Sequence, residues 1–285
     1  MREVLVNTEM RPLGPVMGAE VAGVDLSKPL EQEIFQRIKE AFHRYLLLVF
    51  PDQHIDEAQH IAFSRRFGEL QVHVLDQYRH SRYPEIYVLS NVDKAGKTTG
   101  THPDKGTLVW HSDLSFQRRP ALATILYGIE VPRAGGDTLY ADMYAAYEAL
   151  DDKTKARLST LTAIHDLDAS RMRAGEPPMT EKQRAKAPPV QHPVSRTHPD
   201  TGRKILYISR HVSHFAGMPR TESDALLEKL MQHSTQERFV FRHRWGPRDV
   251  VMWDNRCTMH CATPYDAGAE RRVIHRSVVI GDVPV

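Results

Sequence analysis

Apolar positions in this chain follow two periods. In PLEQEIFQRIKEAFHRY (29–45), Leu30, Ile34, Ile38 and Phe42 recur every four residues, one face of a helix. YLLLVF (45–50) has the length of a buried strand and stops at Pro51. Asp56 stands where an N-cap would, for a helix through Phe67 that Gly68 ends. From Glu85 onward short strand-like pieces dominate: EIYVLS, TLVWHSDLSF, ATILYGIEV, GDTLYA, KILYIS, RFVFRHRW, DVVMWDN and RVIHRSVVIGD. Many short strands bounded by Gly, Pro and Asp indicate a sandwich or barrel. Helices are predicted over MYAAYEALDDKTKARLSTL and over TESDALLEKLMQHS, the latter capped by Thr221. The fold class is therefore mainly β with flanking helices. Two stretches, 71–105 and 166–193, are polar and interrupted by Pro and Gly, and read as long loops covering an active site.

Composition narrows the function classes. Lys+Arg (38) nearly balance Asp+Glu (36), so the basic excess of a nucleic-acid binder is missing. With 41% apolar and 26% charged residues the chain is ordinary for a globular protein. At 285 residues one large domain or two small ones are possible. Cys257 and Cys261 are too few for a disulfide scaffold or a four-thiolate metal site, and read as reduced thiols. No apolar run has signal-peptide or membrane-span length, so a cytoplasmic enzyme or binding protein, with no membrane partner, is expected. The glycines show no dinucleotide or phosphate-loop fingerprint: GGDT (135–138) has no following Lys and opens no helix. Histidine is abundant, at sixteen residues, which is a reason to look for a metal.

The candidate donors are separated along the chain. On a strand, WHSDLSF places His111, Asp113 and Ser115 on one face and Trp110, Ser112, Leu114 and Phe116 on the other. An imidazole and a carboxylate so spaced can bind adjacent positions on one metal, as two His and one carboxylate do in non-haem iron(II) oxygenases. A third donor is available at His260, in MWDNRCTMHCA. Farther on, Arg272 and Arg276 share a face of an otherwise apolar strand, which suits a carboxylate-binding fork or a structural salt bridge equally.

Here the chain resembles a known family. GAEVAGVDLSKPL, FSRRFGEL, WHSDLSF, VPRAGGDTLYADMYAAYEAL, HRWGPRDVVMWDNRCTMH and RRVIHRSVVIGD are similar to the family of taurine dioxygenase and 2,4-dichlorophenoxyacetate dioxygenase, from about Gly18 to Asp282. The resemblance implies a double-stranded β-helix (jelly roll) as a single domain over 1–285. It implies His111, Asp113 and His260 as Fe(II) ligands, and Thr138 and Arg272 on the carboxylate of the cosubstrate 2-oxoglutarate. Arg276, His73 and Thr107 would contact substrate. His211 to His214 (HVSH) look like the phenoxyacetate branch, yet core or surface roles fit them as well. Trp253 reads as core, and Asp254 and Asn255 as shaping a turn. The implied reaction consumes O₂ and 2-oxoglutarate, releases succinate and CO₂, and hydroxylates a small organic anion beside a heteroatom, with collapse to a carbonyl. Sulfonates, alkyl sulfates and aryloxyalkanoates are the candidate substrates. A homo-oligomer is expected from the relatives. Two other classes compete: a zinc-dependent hydrolase on a cupin-like barrel, since two His and a carboxylate also suit zinc, and a non-catalytic small-anion binding protein.

Overall fold

The computed structural model describes residues 8–72, 78–175 and 177–285. The first half of the chain forms β1 (Glu9–Pro12), β2 (Ala19–Ala22), α1 (Gln32–Tyr45), β3 (Leu47–Phe50), α2 (Glu57–Arg65), β4 (Tyr87–Ser90), β5 (Ala121–Glu130), β6 (Thr138–Asp142) and α3 (Met143–Glu148). The second half forms α4 (Asp152–Leu158), β7 (Thr162–His165), α5 (Leu167–Arg173), α6 (Glu181–Lys186), β8 (Val190–Pro193), β9 (Ser195–Thr197), β10 (Lys204–Leu206) and β11 (Val212–Phe215). It ends with α7 (Arg220–Ser234), β12 (Val240–His243), β13 (Val250–Asp254), β14 (Thr258–Ala262) and β15 (Val273–Ile280).

A seven-stranded sheet has the order β1-β2-β3-β13-β5-β15-β4, antiparallel except for the β2–β3 pair. Three smaller sheets are β12-β6-β14, β11-β7-β8 and β10-β9. The long apolar run at 45–50 follows from its place. On β3, Leu48 and Phe50 pack with Ile38, Phe42 and Phe63 of α1 and α2, while Leu47 and Val49 pack with Trp253, Ile274 and Tyr140 on the other face. A strand covered on both sides has no polar face to alternate. The face carrying Tyr140 of β6 is where the two main sheets meet, and the site lies on that side.

Both early helices lie where the pattern predicts. Asp56 caps α2 in a capping box with Gln59, its carboxylate accepting from the Gln59 N–H at 2.8 Å. Four expectations need correction. WHSDLSF is not a strand: after one bridge at His111 the chain turns, and Leu114 takes φ +55°. The helix expected over 143–161 is two, because Asp151 accepts from the Thr154 N–H and starts a new N-terminus after α3. The last helix starts at Arg220, one residue before Thr221, and has no side-chain cap. The stretch 166–193 is not a loop: it holds α5, α6 and β8, with Asp166 and Thr180 as N-caps. Short helices of six or seven residues show too little periodicity to be read against a proline-rich background.

Candidate active site

His111 and His260 are far apart in sequence and adjacent in space. Their backbones exchange two hydrogen bonds, His111 N–H to the His260 carbonyl at 2.9 Å and the reverse at 2.8 Å. Their rings lie 4.1 Å apart, centroid to centroid. The turn after His111 brings Asp113 back to both: Oδ1 is 3.8 Å from His111 Nε2, and Oδ2 is 3.7 Å from His260 Nε2. One donor atom from each residue lies within 4.8 Å of the others, all three residues are buried, and the set suits a divalent metal.

The turn is held from behind by Asn255. Its side-chain oxygen accepts from the Asp113 N–H at 3.0 Å, its carbonyl accepts from Ser112 Oγ, and its amide donates to Thr124 Oγ1 at 2.8 Å. The Thr124 hydroxyl in turn donates to Asp113 Oδ2 at 2.6 Å. His111 Nδ1 lies 2.7 Å from the Val109 carbonyl, so this nitrogen carries the proton and Nε2 presents its lone pair. Burial pushes both imidazoles below their ordinary range, His260 well below it. Burial alone would raise the Asp113 carboxyl, but the charge of the Arg276 guanidinium and the hydrogen bond from Thr124 act against it, and the carboxyl is held well down. Two neutral imidazoles and one carboxylate are the charge states in which these groups ligate metal.

Next to the triad is a second polar centre. The β6–β14 register sets His260 opposite Tyr140 and Ala262 opposite Thr138. The Tyr140 ring stacks beside His260, and its phenol also feels the charge of Arg272. Arg272 is 3% exposed, and among the described residues no carboxylate pairs with it. Its Nε is buried and unpartnered, and burial lowers it to about 10. Thr138 Oγ1 accepts from Trp245 Nε1 at 3.1 Å. An indole can only donate, so the Thr138 hydroxyl keeps its own proton for another partner, the Tyr140 oxygen or a ligand. The turn at Gly135 and Gly136 permits this approach: both have positive φ, and a Cβ on Gly135 would fall 2.5 Å from the Pro264 carbonyl oxygen.

A cavity of about 440 Å³ opens over His111 and Asp113. Thr107 and Arg276 line it, as do Leu114, Phe116 and His211. The Thr107 hydroxyl donates to the Asp104 carbonyl at 2.7 Å. Arg276 Nη1 lies 3.4 Å from Asp113 Oδ1, and its guanidinium sits 4.4 Å from the Tyr87 ring centroid. His211 is fixed by Ser115 Oγ at 2.9 Å, whereas His214 does not line the cavity. His73 lies outside the described residues. Trp253 is core, as expected, and its indole N–H donates to Asn255. Sequence reasoning gave Asn255 only a turn-shaping part and missed Thr124 and Trp245; it expected 166–193 over the site, which residues 167–187 do line, but as loops and not as helices. Thr124 comes from β5 and Trp245 from the connection between β12 and β13, and each meets the site only through the fold.

Another donor grouping, His198, Asp254 and Cys257, is satisfied internally. Arg256 grips Asp254 through Nε at 2.9 Å and Nη2 at 2.6 Å, and His198 Nε2 lies 3.0 Å from Asp254 Oδ2.

Residues 9–278 match the taurine catabolism dioxygenase TauD, TfdA family. The chain is 38% identical over 282 residues to an alpha-ketoglutarate-dependent 2,4-dichlorophenoxyacetate dioxygenase of Cupriavidus pinatubonensis, covering 96% of this chain and 98% of that one. It is 36% identical over 287 residues to an (S)-phenoxypropionate/alpha-ketoglutarate-dioxygenase of Sphingobium herbicidovorans, covering 96% and 95%. The crystal structure of AAD-2 in complex with Mn(II) and N-oxalylglycine superposes with a TM-score of 0.87 at 37% identity, covering 97% of this chain and 98% of that one. With a metal-donor triad, a buried arginine that has no acid partner among the described residues, and similarity over nearly its whole length, this chain belongs to the TauD, TfdA family and is an alpha-ketoglutarate-dependent dioxygenase.

Proposed function

We propose that the protein is an Fe(II)- and O₂-dependent enzyme that hydroxylates a small organic anion beside a heteroatom and so releases a carbonyl product. Sulfonates, alkyl sulfates and aryloxyalkanoates are the candidates, and the names of the two relatives above favour the aryloxyalkanoates. The scaffold is a single double-stranded β-helix domain over 1–285, acting in the cytoplasm as a homo-oligomer. Among the described residues no helix is long and apolar enough to cross a membrane. Iron with 2-oxoglutarate and O₂ supplies the oxidising chemistry, coupling decarboxylation to succinate with substrate hydroxylation.

The chain's own residues bind, orient and exclude water. His111, Asp113 and His260 hold the metal, with Asn255 and Thr124 fixing the carboxylate and leaving one side of the triad to ligands. Arg272 and Thr138 take the distal carboxylate of 2-oxoglutarate. Arg276 faces the acidic group of the substrate, joined by Thr107 and by His73. The cavity walls Leu114 and Phe116 keep the reacting carbon in an apolar setting.

The observation that carries this reading is Arg272. A buried guanidinium with no carboxylate partner among the described residues is costly unless a ligand supplies one. A zinc hydrolase on the same triad has no use for that group. The test is succinate release from 2-oxoglutarate by the iron-loaded protein across a panel of sulfonates, alkyl sulfates and phenoxyalkanoates. Succinate formed with one class establishes the reading. No succinate with any, together with zinc-supported ester hydrolysis, overturns it.

A further inference from the structure

The outer end of the cavity carries charge that the reading above does not use. Its roof is the segment with α5 and α6. Met179, Lys182, Gln183 and Lys186 are spaced three, four and seven apart, and all four line the cavity, so one face of α6 and its lead-in looks onto the opening. The roof is anchored. Asp168 of α5 accepts from the Met179 N–H at 2.6 Å and pairs with Arg184 Nη1 at 3.4 Å. Arg173 donates to the Arg210 carbonyl at 2.6 Å and the Val212 carbonyl at 2.9 Å, tying α5 to the start of β11.

The two lysines are left over from this bracing. Neither Lys182 nor Lys186 makes a hydrogen bond or ion pair with a described residue, and both are exposed. Like charges four apart on a helix repel, so an anion between them relieves that repulsion. The acidic groups among the cavity's lining residues are Asp113, which belongs to the triad, and Asp104, which accepts from the Gly106 N–H at 2.9 Å. Burial sorts the lining residues. His111, Asp113, Arg276, Leu114 and Met179 are buried, whereas Lys182 and Lys186 are exposed to solvent.

We propose that Lys182 and Lys186 form an outer anion subsite. The preferred substrates then carry two acidic groups, one toward Arg276 and one at the far end, across an apolar or aromatic body. This rests on the active-site reading above. It separates substrates by their remote group, which the metal triad and Arg276 do not reach.

Calorimetry on the full chain loaded with Mn(II) and N-oxalylglycine tests it, with phenoxyacetate and 4-carboxyphenoxyacetate as probes. The dianion is expected to bind about tenfold more tightly than the monoanion at low salt. In the Lys182→Ala/Lys186→Ala variant that ratio is expected to fall below about twofold with phenoxyacetate affinity unchanged, since alanine keeps an exposed helix intact. Equal affinity for the two probes in the unaltered protein overturns the subsite. So does an equal weakening of both probes in the variant, which would mean general electrostatic attraction. Failure of N-oxalylglycine itself to bind would overturn the active-site reading and the subsite with it.

Discussion

Replacing Arg272 by Met is expected to stabilise the ligand-free protein while removing its response to 2-oxoglutarate. The side chain is 3% exposed, and among the described residues it has no acid partner. Burial lowers its pKa from 12.5 to about 10. At 1.36 kcal/mol per unit, that depression corresponds to roughly 3 kcal/mol of destabilisation of the folded state. For a base with a depressed folded-state pKa the unfolded chain holds the proton more tightly. The cost is therefore fully present below pH 10 and fades as pH rises from 10 toward 12.5. Methionine fills a comparable volume without the charge. For a chain of this size roughly 3 kcal/mol translates to a rise in Tm on the order of 5–10 °C at neutral pH. With Mn(II) present, 2-oxoglutarate at 100 times its Kd should add about 2.7 kcal/mol to the unaltered protein and nothing to the variant. Differential scanning fluorimetry with and without 2-oxoglutarate reads both effects. A variant that melts several degrees lower, or that keeps the full ligand shift, refutes the reasoning.

Three further outcomes are expected. Asp113→Ala abolishes succinate formation and Mn(II) binding, the latter followed by electron paramagnetic resonance, while a non-catalytic anion binder would keep its anion affinity. Asn255→Ala unties the turn that presents Asp113, and metal affinity measured by titration should fall about 10–100-fold with the ligands themselves intact. Arg256→Ala leaves Asp254, 1% exposed, without its main counter-charge, and chemical denaturation at pH 7 should show a loss of about 3–5 kcal/mol. Arg256, aided by His198, holds the Asp254 carboxyl well below its ordinary 3.8 against burial, which alone would raise it. Its contribution is present above that value and lost as pH falls below it, so the gap between the variant and the unaltered protein should close in acid.

Periodicity determined the elements that are long or strongly patterned: the Ile38–Phe42 face of α1, the two-sided strand at 47–50, and the capped start of α2. Motif wording determined the family, and with it the three donor residues. Alternation served at β15. Ile274 packs with the inner cluster beside the site, whereas His275 turns toward Glu57 of α2, its Nδ1 at 3.8 Å. Alternation failed at WHSDLSF, because His111 and Asp113 are not related by a strand. A turn through Leu114 at positive φ, tied down by Asn255, brings Asp113 to both imidazoles. The short helices of the roof were illegible for want of length.

The sequence by itself thus determined which groups are available: two imidazoles, a carboxylate, two arginines and a threonine, in an order that marks the family. Only the tertiary structure decided how they are used. Neutral imidazoles, an ionised Asp113 and an arginine with no acid partner among the described residues are consequences of burial and of neighbours brought from distant parts of the chain. So is the placing of Lys182 and Lys186 over the opening, because a helix of six residues gains its orientation from the contacts that anchor it.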